Sequence, residues 1–180
     1  ITGETIVTPN ATAPTGWIIL TGASRIATLG NAASGASYAA ADAEALFTVY
    51  WNNVADAQAP VSTGRGASAS ADFAANKTIT LPDYRGRALI GTGTGASLTA
   101  RTNGAAGGAE THQLSTAEMA THNHTQDGQT PLWQTTGAIT TWANSGAQTF
   151  AFGGTTSYVG SSTAHANMQP YLPLHLIQKL

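Results

Sequence analysis

The residues in this chain best equipped for chemistry are His122 and His124, one residue apart in the stretch EMATHNHTQDG. The chain has five histidines and no cysteine, which removes disulfides and thiolate metal sites. Three readings compete for the pair: a metal site, a catalytic pair, or two polar residues on a strand. On an extended strand, residues two apart face the same way with Cα atoms about 6.6–7 Å apart. Two imidazoles at that spacing can reach inward to one ion. A single chain supplies only two nitrogens, too few for a stable site.

Catalysis finds little support. A glycosidase needs two positioned carboxylates. Asp42 and Glu44 lie two apart on a predicted helix and face different ways. Glu118 is read as a helix cap, and Asp83 as the pin of the turn PDYRGR with Arg85 and Arg87. Asp56 and Asp72 share a loop, and nothing in the sequence brings them together. A mononuclear metalloenzyme would need a third ligand beside the histidine pair, with His112 or Asp127 to choose from, and an open coordination position. The run GTGTG lacks the lysine of a phosphate loop and reads as a turn. The expectation is a protein that is not an enzyme. His112 is expected to make a structural hydrogen bond, His165 to sit near a turn, and His175 to pack on the final strand.

The elements that hold such a pair must form with few large apolar residues. The 42% hydrophobic content is largely alanine, and Ile, Leu, Val and Phe make up only about one residue in six. Net charge is −2, so high charge does not drive disorder. A folded chain with so thin a core recovers buried area by oligomerising or by binding metal. Seven Lys and Arg form no basic stripe, which excludes nucleic acid as a partner. No apolar run reaches membrane-spanning length, so no membrane insertion is expected. The start at Ile1 suggests a piece of a longer chain.

Periodicity places a buried strand at Trp17 to Leu20 and a helix from Ser37, as N-cap, to Trp51, ending at Asn52-Asn53. Tyr38, Ala41, Ala45, Leu46 and Val49 mark its apolar face. Residues 56–75 have no period and read as a long surface loop. Strands follow at Thr78 to Leu81 and Ala88 to Ile90. Ser115 and Glu118 form a capping box for one helical turn. A final strand alternates through Leu172, Leu174 and Leu176. Trp17 and Trp51 read as packing residues.

Four stretches, taken in order, resemble the phage tail collar domain of bacteriophage tail fibres, to which R-type pyocin fibre tips are related in plan. They are PTGWIILTG, ITLPDYRGRALIGTG, GGAETHQLSTAEMATHNHT and the terminal NMQPYLPLHLIQKL. The family commonly has Cys-Asp-Gly where this chain has Leu20-Thr21-Gly22, and a proline where it has Ala120. Neither departure touches the histidines.

The resemblance implies a mainly β fold with one or two short helices, in an intertwined homotrimeric fibre-tip architecture of collar plus head. Residues 1–124 would be the collar-like domain, 125–166 the receptor-binding head and loops, and 167–180 a strand returning to the collar. It implies that His122 and His124 from three chains surround one divalent metal on the threefold axis. Six imidazole nitrogens make an octahedral set, for which Fe²⁺ is favoured, with Zn²⁺ or Ni²⁺ as alternatives. The role is structural, an inter-chain staple.

The implied function is a trimeric adhesin at the distal end of a virion tail fibre, or of a phage-tail-like bacteriocin, made in the host cytoplasm and joined to an upstream fibre shaft. Its partner would be a bacterial surface polysaccharide or outer-membrane receptor. Aromatic platforms beside amides suit sugar recognition. Trp133, Gln134, Trp142, Asn144, Gln148, Phe150, Phe152 and Tyr158 supply that chemistry in the head. The alternatives are a small metal-dependent hydrolase acting on a surface glycan, and a purely structural fibre or baseplate element.

Overall fold

The computed structural model describes residues 1–121 and 163–180. In chain order the strands are β1 Thr5–Thr8, β2 Trp17–Ile19, β3 Thr28–Gly30, β4 Tyr38–Ala39, β5 Ile79–Thr80, β6 Thr111–His112, β7 His165–Ala166 and β8 His175–Lys179. The helices are α1 Glu44–Asn53 and α2 Ala69–Ala74. The fold is mainly β with two short helices. It divides into two compact units: Ile1–Gly108 with Gln169–Leu180, and Ala109–Met168.

The first unit holds two small sheets. In one, β8 lies between β1 and β2 and is antiparallel to both, with Ile6 opposite Ile177 and Ile18 opposite Gln178. A turn delivers the chain into β2. The Trp17 N–H donates to Pro14 O at 3.0 Å across Gly16, whose φ of +79° is the left-handed value that such a turn reserves for glycine. In the other sheet β3 is central, parallel to β4 and antiparallel to β5.

The core gathers Ile18 and Leu20 from the first sheet region, Leu29 and Ile79 from the second, and one face of α1. That face is Ala43, Leu46, Phe47 and Tyr50, spaced three, one and three residues apart. Phe47 meets Phe73 of α2 edge to face, with ring centroids 5.4 Å apart. Of the predicted face, Leu46 is fully buried and Tyr38 and Val49 are half-buried against the core, while Ala41 and Ala45 are exposed. Nor is Ser37 the N-cap: its hydroxyl accepts from the N–H groups of Ala27 (2.9 Å) and Thr28 (2.8 Å), tying β4 to β3. The helix starts at Glu44 and ends, as expected, at Asn53.

Residues 56–75 are not a loop throughout. Ser68 caps α2, accepting from the Ala71 N–H at 3.2 Å, and Ala69, Asp72 and Phe73 are buried. Asp72 is the organising group. Its carboxylate accepts from Gly66 N–H (2.7 Å), Trp51 Nε1–H (2.9 Å) and Lys77 Nζ (2.8 Å). Arg65 stacks over the Trp51 ring, 5.4 Å from its centroid, and donates to the carbonyls of Trp51 and Val54. Those carbonyls lie at the C-terminal end of α1, where orphan acceptors favour a cation.

The expected strand at Ala88 to Ile90 is absent. Leu89 and Ile90 are 60% and 69% exposed and have no ladder partner among the described residues. The final strand begins at His175, so Leu172 and Leu174 lie before it. Pro173, with no N–H to give a ladder, sits between the two leucines and interrupts the expected run.

Candidate functional site

The second unit leads toward the histidine pair. Its β6 and β7 pair antiparallel, Thr111 opposite Ala166 and His112 opposite His165, and the Asn167 N–H donates to Glu110 O at 2.8 Å. After β6 comes a single turn of 3₁₀ helix, Thr116–Glu118. The predicted capping pair is in place: the Glu118 carboxylate accepts from the Ser115 N–H and from its hydroxyl, both at 2.7 Å. These bonds, and the His112 imidazole at 2.9 Å, hold the Glu118 carboxyl below the usual carboxylate range.

His112, His165 and Glu118 therefore come together, a grouping no local sequence signal announced, because β6 and β7 are far apart in the chain. Among the described residues no group of three or more His, Asp or Glu is arranged to hold a metal ion. His122 and His124 lie outside the described residues. So do Trp133, Gln134, Trp142, Asn144, Gln148, Phe150, Phe152 and Tyr158.

The acids read as structural are structural where described. Asp83 accepts from Arg85 through its N–H (3.1 Å) and guanidinium (2.7 Å), while Arg87 donates to Asp83 O at 2.9 Å. Arg85 first, with help from Arg25, holds the Asp83 carboxyl well below its ordinary range against the opposing effect of burial. Asp56 accepts from the Val61 N–H (3.0 Å) and Arg65 Nε (3.2 Å). It and Asp72 serve different donors. His175 is half-buried and packs over Gly22, where an added Cβ would lie 2.6 Å from its ring.

The first unit leaves several large apolar side chains uncovered. Leu89, Ile90 and Leu98 are exposed, and so are Tyr171 (73%), Leu172 (83%) and Leu174 (45%). Within the second unit Leu114, Met119 and Met168 are exposed too. Residues 85–103 run almost without regular structure, the one bridge joining Gly93 to Arg101. Large apolar side chains on unpaired backbone are a feature that single folded chains avoid and subunit interfaces exploit. No protein-family model, curated protein or solved structure matches this chain.

Proposed function

We propose that the chain is the receptor-binding tip of a phage tail fibre, or of a related phage-tail-like bacteriocin, acting as an intertwined homotrimer. The observation that carries the reading is the exposure of Leu89, Ile90, Leu98, Tyr171 and Leu172 on segments that belong to no strand among the described residues. All of these but Leu98 fall within two of the four stretches that resemble the collar domain. Three copies winding around one another would give those side chains a core and those backbones partners.

On this reading His122 and His124 of three chains hold one divalent ion, Fe²⁺ before Zn²⁺ or Ni²⁺, which staples the subunits in register. The head at 125–166 then carries the receptor contacts, with Trp133 and Trp142 as stacking platforms for a surface glycan. Several weak sites per particle suffice, since avidity multiplies them. The protein would sit at the distal end of the fibre in the virion.

The test is solution mass together with elemental analysis. A mass of three chains with one ion per trimer, the ion lost in His122→Ala, is the expected result. A monomer with one ion per chain would favour the metal-dependent hydrolase. A metal-bound trimer whose adsorption to host cells survives loss of both Trp133 and Trp142 would place the receptor contacts elsewhere.

A further inference from the structure

The first unit has an open cleft of about 130 Å³ between the end of α1, residues 82–84, β8 and the turn at 103–104, with Asn53 and Asn103 exposed at its rim. Its polar lining is neutral: Tyr50, Tyr84, Asn53, Asn103 and Gln178. The direction of every hydrogen bond behind that lining can be worked out. Gln178 is 7% exposed, and its Nε2 donates to Gly3 O at 3.0 Å, an atom that can only accept. Its Oε1 therefore faces Tyr50, so the Tyr50 hydroxyl donates to it at 2.8 Å. That uses the only proton Tyr50 has. The 3.1 Å contact between the two phenols must then be Tyr84 donating to Tyr50. Both phenolic protons run inward, and Tyr84 Oη is left as an acceptor.

The two asparagines complete the set. Asn53 Nδ2 donates to Val49 O at 2.8 Å, and Asn103 Nδ2 donates to Asn53 O at 3.0 Å. Each amide keeps its Oδ1 and one N–H proton, a donor beside an acceptor. The rim is anchored as well. Gly104 has φ +78° and is the one residue between 85 and 108 that is not exposed. A Cβ there would meet Val54 Cγ1 at 2.9 Å and Gln58 Cβ at 3.2 Å. Glycine lets the turn close against α1's end and sets Asn103 over the cleft.

We propose that this cleft is a subsite for one neutral, hydroxyl-rich ring, a single sugar unit of a larger glycan. The volume is well below the roughly 300–1,000 Å³ of a site for a whole drug-sized ligand, so it takes one unit and not a chain. No charged side chain lines it, which excludes an ionic ligand as the natural fit. Paired amide donors and acceptors match neighbouring hydroxyls, and Tyr84 Oη accepts from a third. Val54 and Pro82 offer apolar wall for the ring's C–H faces. The inference concerns the first unit alone and does not rest on the fibre-tip reading.

The experiment uses the full chain, isotope-labelled, titrated with methyl α-D-glucopyranoside, methyl α-D-galactopyranoside and methyl α-D-mannopyranoside. At least one should shift the Asn53 and Asn103 side-chain amides and the Gly104 amide saturably, with a dissociation constant on the order of millimolar. Tyr84→Phe keeps the ring and removes the acceptor, and should weaken binding about fivefold. Asn103→Ala should weaken it at least as much. Silence at these amides up to about 100 mM of all three glycosides overturns the proposal, far above the expected constant as that is. So do saturable shifts confined to other residues, a reading that needs no variant to fold.

Discussion

His112 and His165 face each other across β6 and β7, with ring centroids 6.0 Å apart and ring planes at 87°. They are direct partners in the ladder that brackets residues 113–164. Strand partners in this register bring Cα atoms within disulfide reach. Thr111→Cys with Ala166→Cys should therefore oxidise readily and completely, and no other thiol exists to compete. Thiol titration before and after mild oxidation reads this directly. A pair that stays reduced would mean that the ladder has another register.

Glu118 bonds to His112 of the same ladder from the end of its turn. Its carboxyl titrates below its ordinary value of 4.5 because Ser115, then His112, favour the charged form. A depressed folded value means that the stabilisation is present above the unfolded value and is lost as pH falls through the folded one. The 116–118 turn should hold at neutral pH and loosen as pH falls through the depressed Glu118 value. Carbon-detected titration of the Glu118 side chain should give a midpoint under 4.5. A midpoint at or above that value would remove the cap from this account.

Asp72 predicts a larger effect. It is 2% exposed, and burial alone would raise its pKa, yet Gly66, Lys77 and Trp51 together bring it below 3.8. Asp72→Asn should cost about 2–3 kcal/mol at pH 7, since it leaves Lys77 unmatched and turns an acceptor into a donor. The gap from the parent should narrow as pH falls through the Asp72 folded value, because the parent then loses the same charge. Urea unfolding at pH 7 and pH 3 measures both. Gly66→Ala should act in the same direction, since a Cβ there would overlap the Asp72 carboxylate.

Tyr50 is held neutral far above a phenol's ordinary range, first by burial and then by the neighbouring Tyr84. Tyr50→Phe should cost about 1–2 kcal/mol by leaving the buried Gln178 Oε1 without its donor. Tyr84→Phe should cost less, because Tyr50 still donates to Gln178. Equal losses in thermal unfolding would contradict the direction assigned to that chain of bonds.

Ser68→Ala should lower stability by about 1 kcal/mol through loss of the α2 cap. Ser37→Ala should disturb the β3–β4 pairing instead, visible as faster amide exchange at Ala27 and Thr28. The contrast shows where local reading of the chain succeeds and where it stops. The strand at Ile79, the Ser115–Glu118 cap and the Asp83 turn were legible because their partners lie within a few residues or their side chains alternate, and the strand at Trp17 because a short apolar run is bounded by turn residues. The α1 face was misread because alanine fills so many positions that several faces look alike. Only Leu29, Ile79 and Phe73, brought in from other elements, choose the one that is buried.

Helix α2 was hidden for a related reason. Phe73 is its one large apolar residue, and its buried acid makes sense only beside Trp51 and Lys77. Leu89 and Ile90 read as strand because their composition is right, but a ladder needs a partner, and composition does not supply one. The route into the histidine pair was half legible. The cap was readable, and the His112–His165 contact was not, since it depends on a register between distant segments. The cleft bounded by Tyr84 and Asn103 was not legible at all, because its walls come from four separate parts of the chain.

The central place of β8 has a consequence for synthesis. Strands β1 and β2 have no ladder partner other than β8 among the described residues, and the Leu176 N–H reaches Thr21 Oγ1 across 155 positions. At about 5–20 residues per second, a ribosome needs on the order of 10–30 s to supply that distance. Throughout that interval two apolar strands wait with bare edges. Completion of this sheet is therefore a late event, because its central strand is the last of the three to be made.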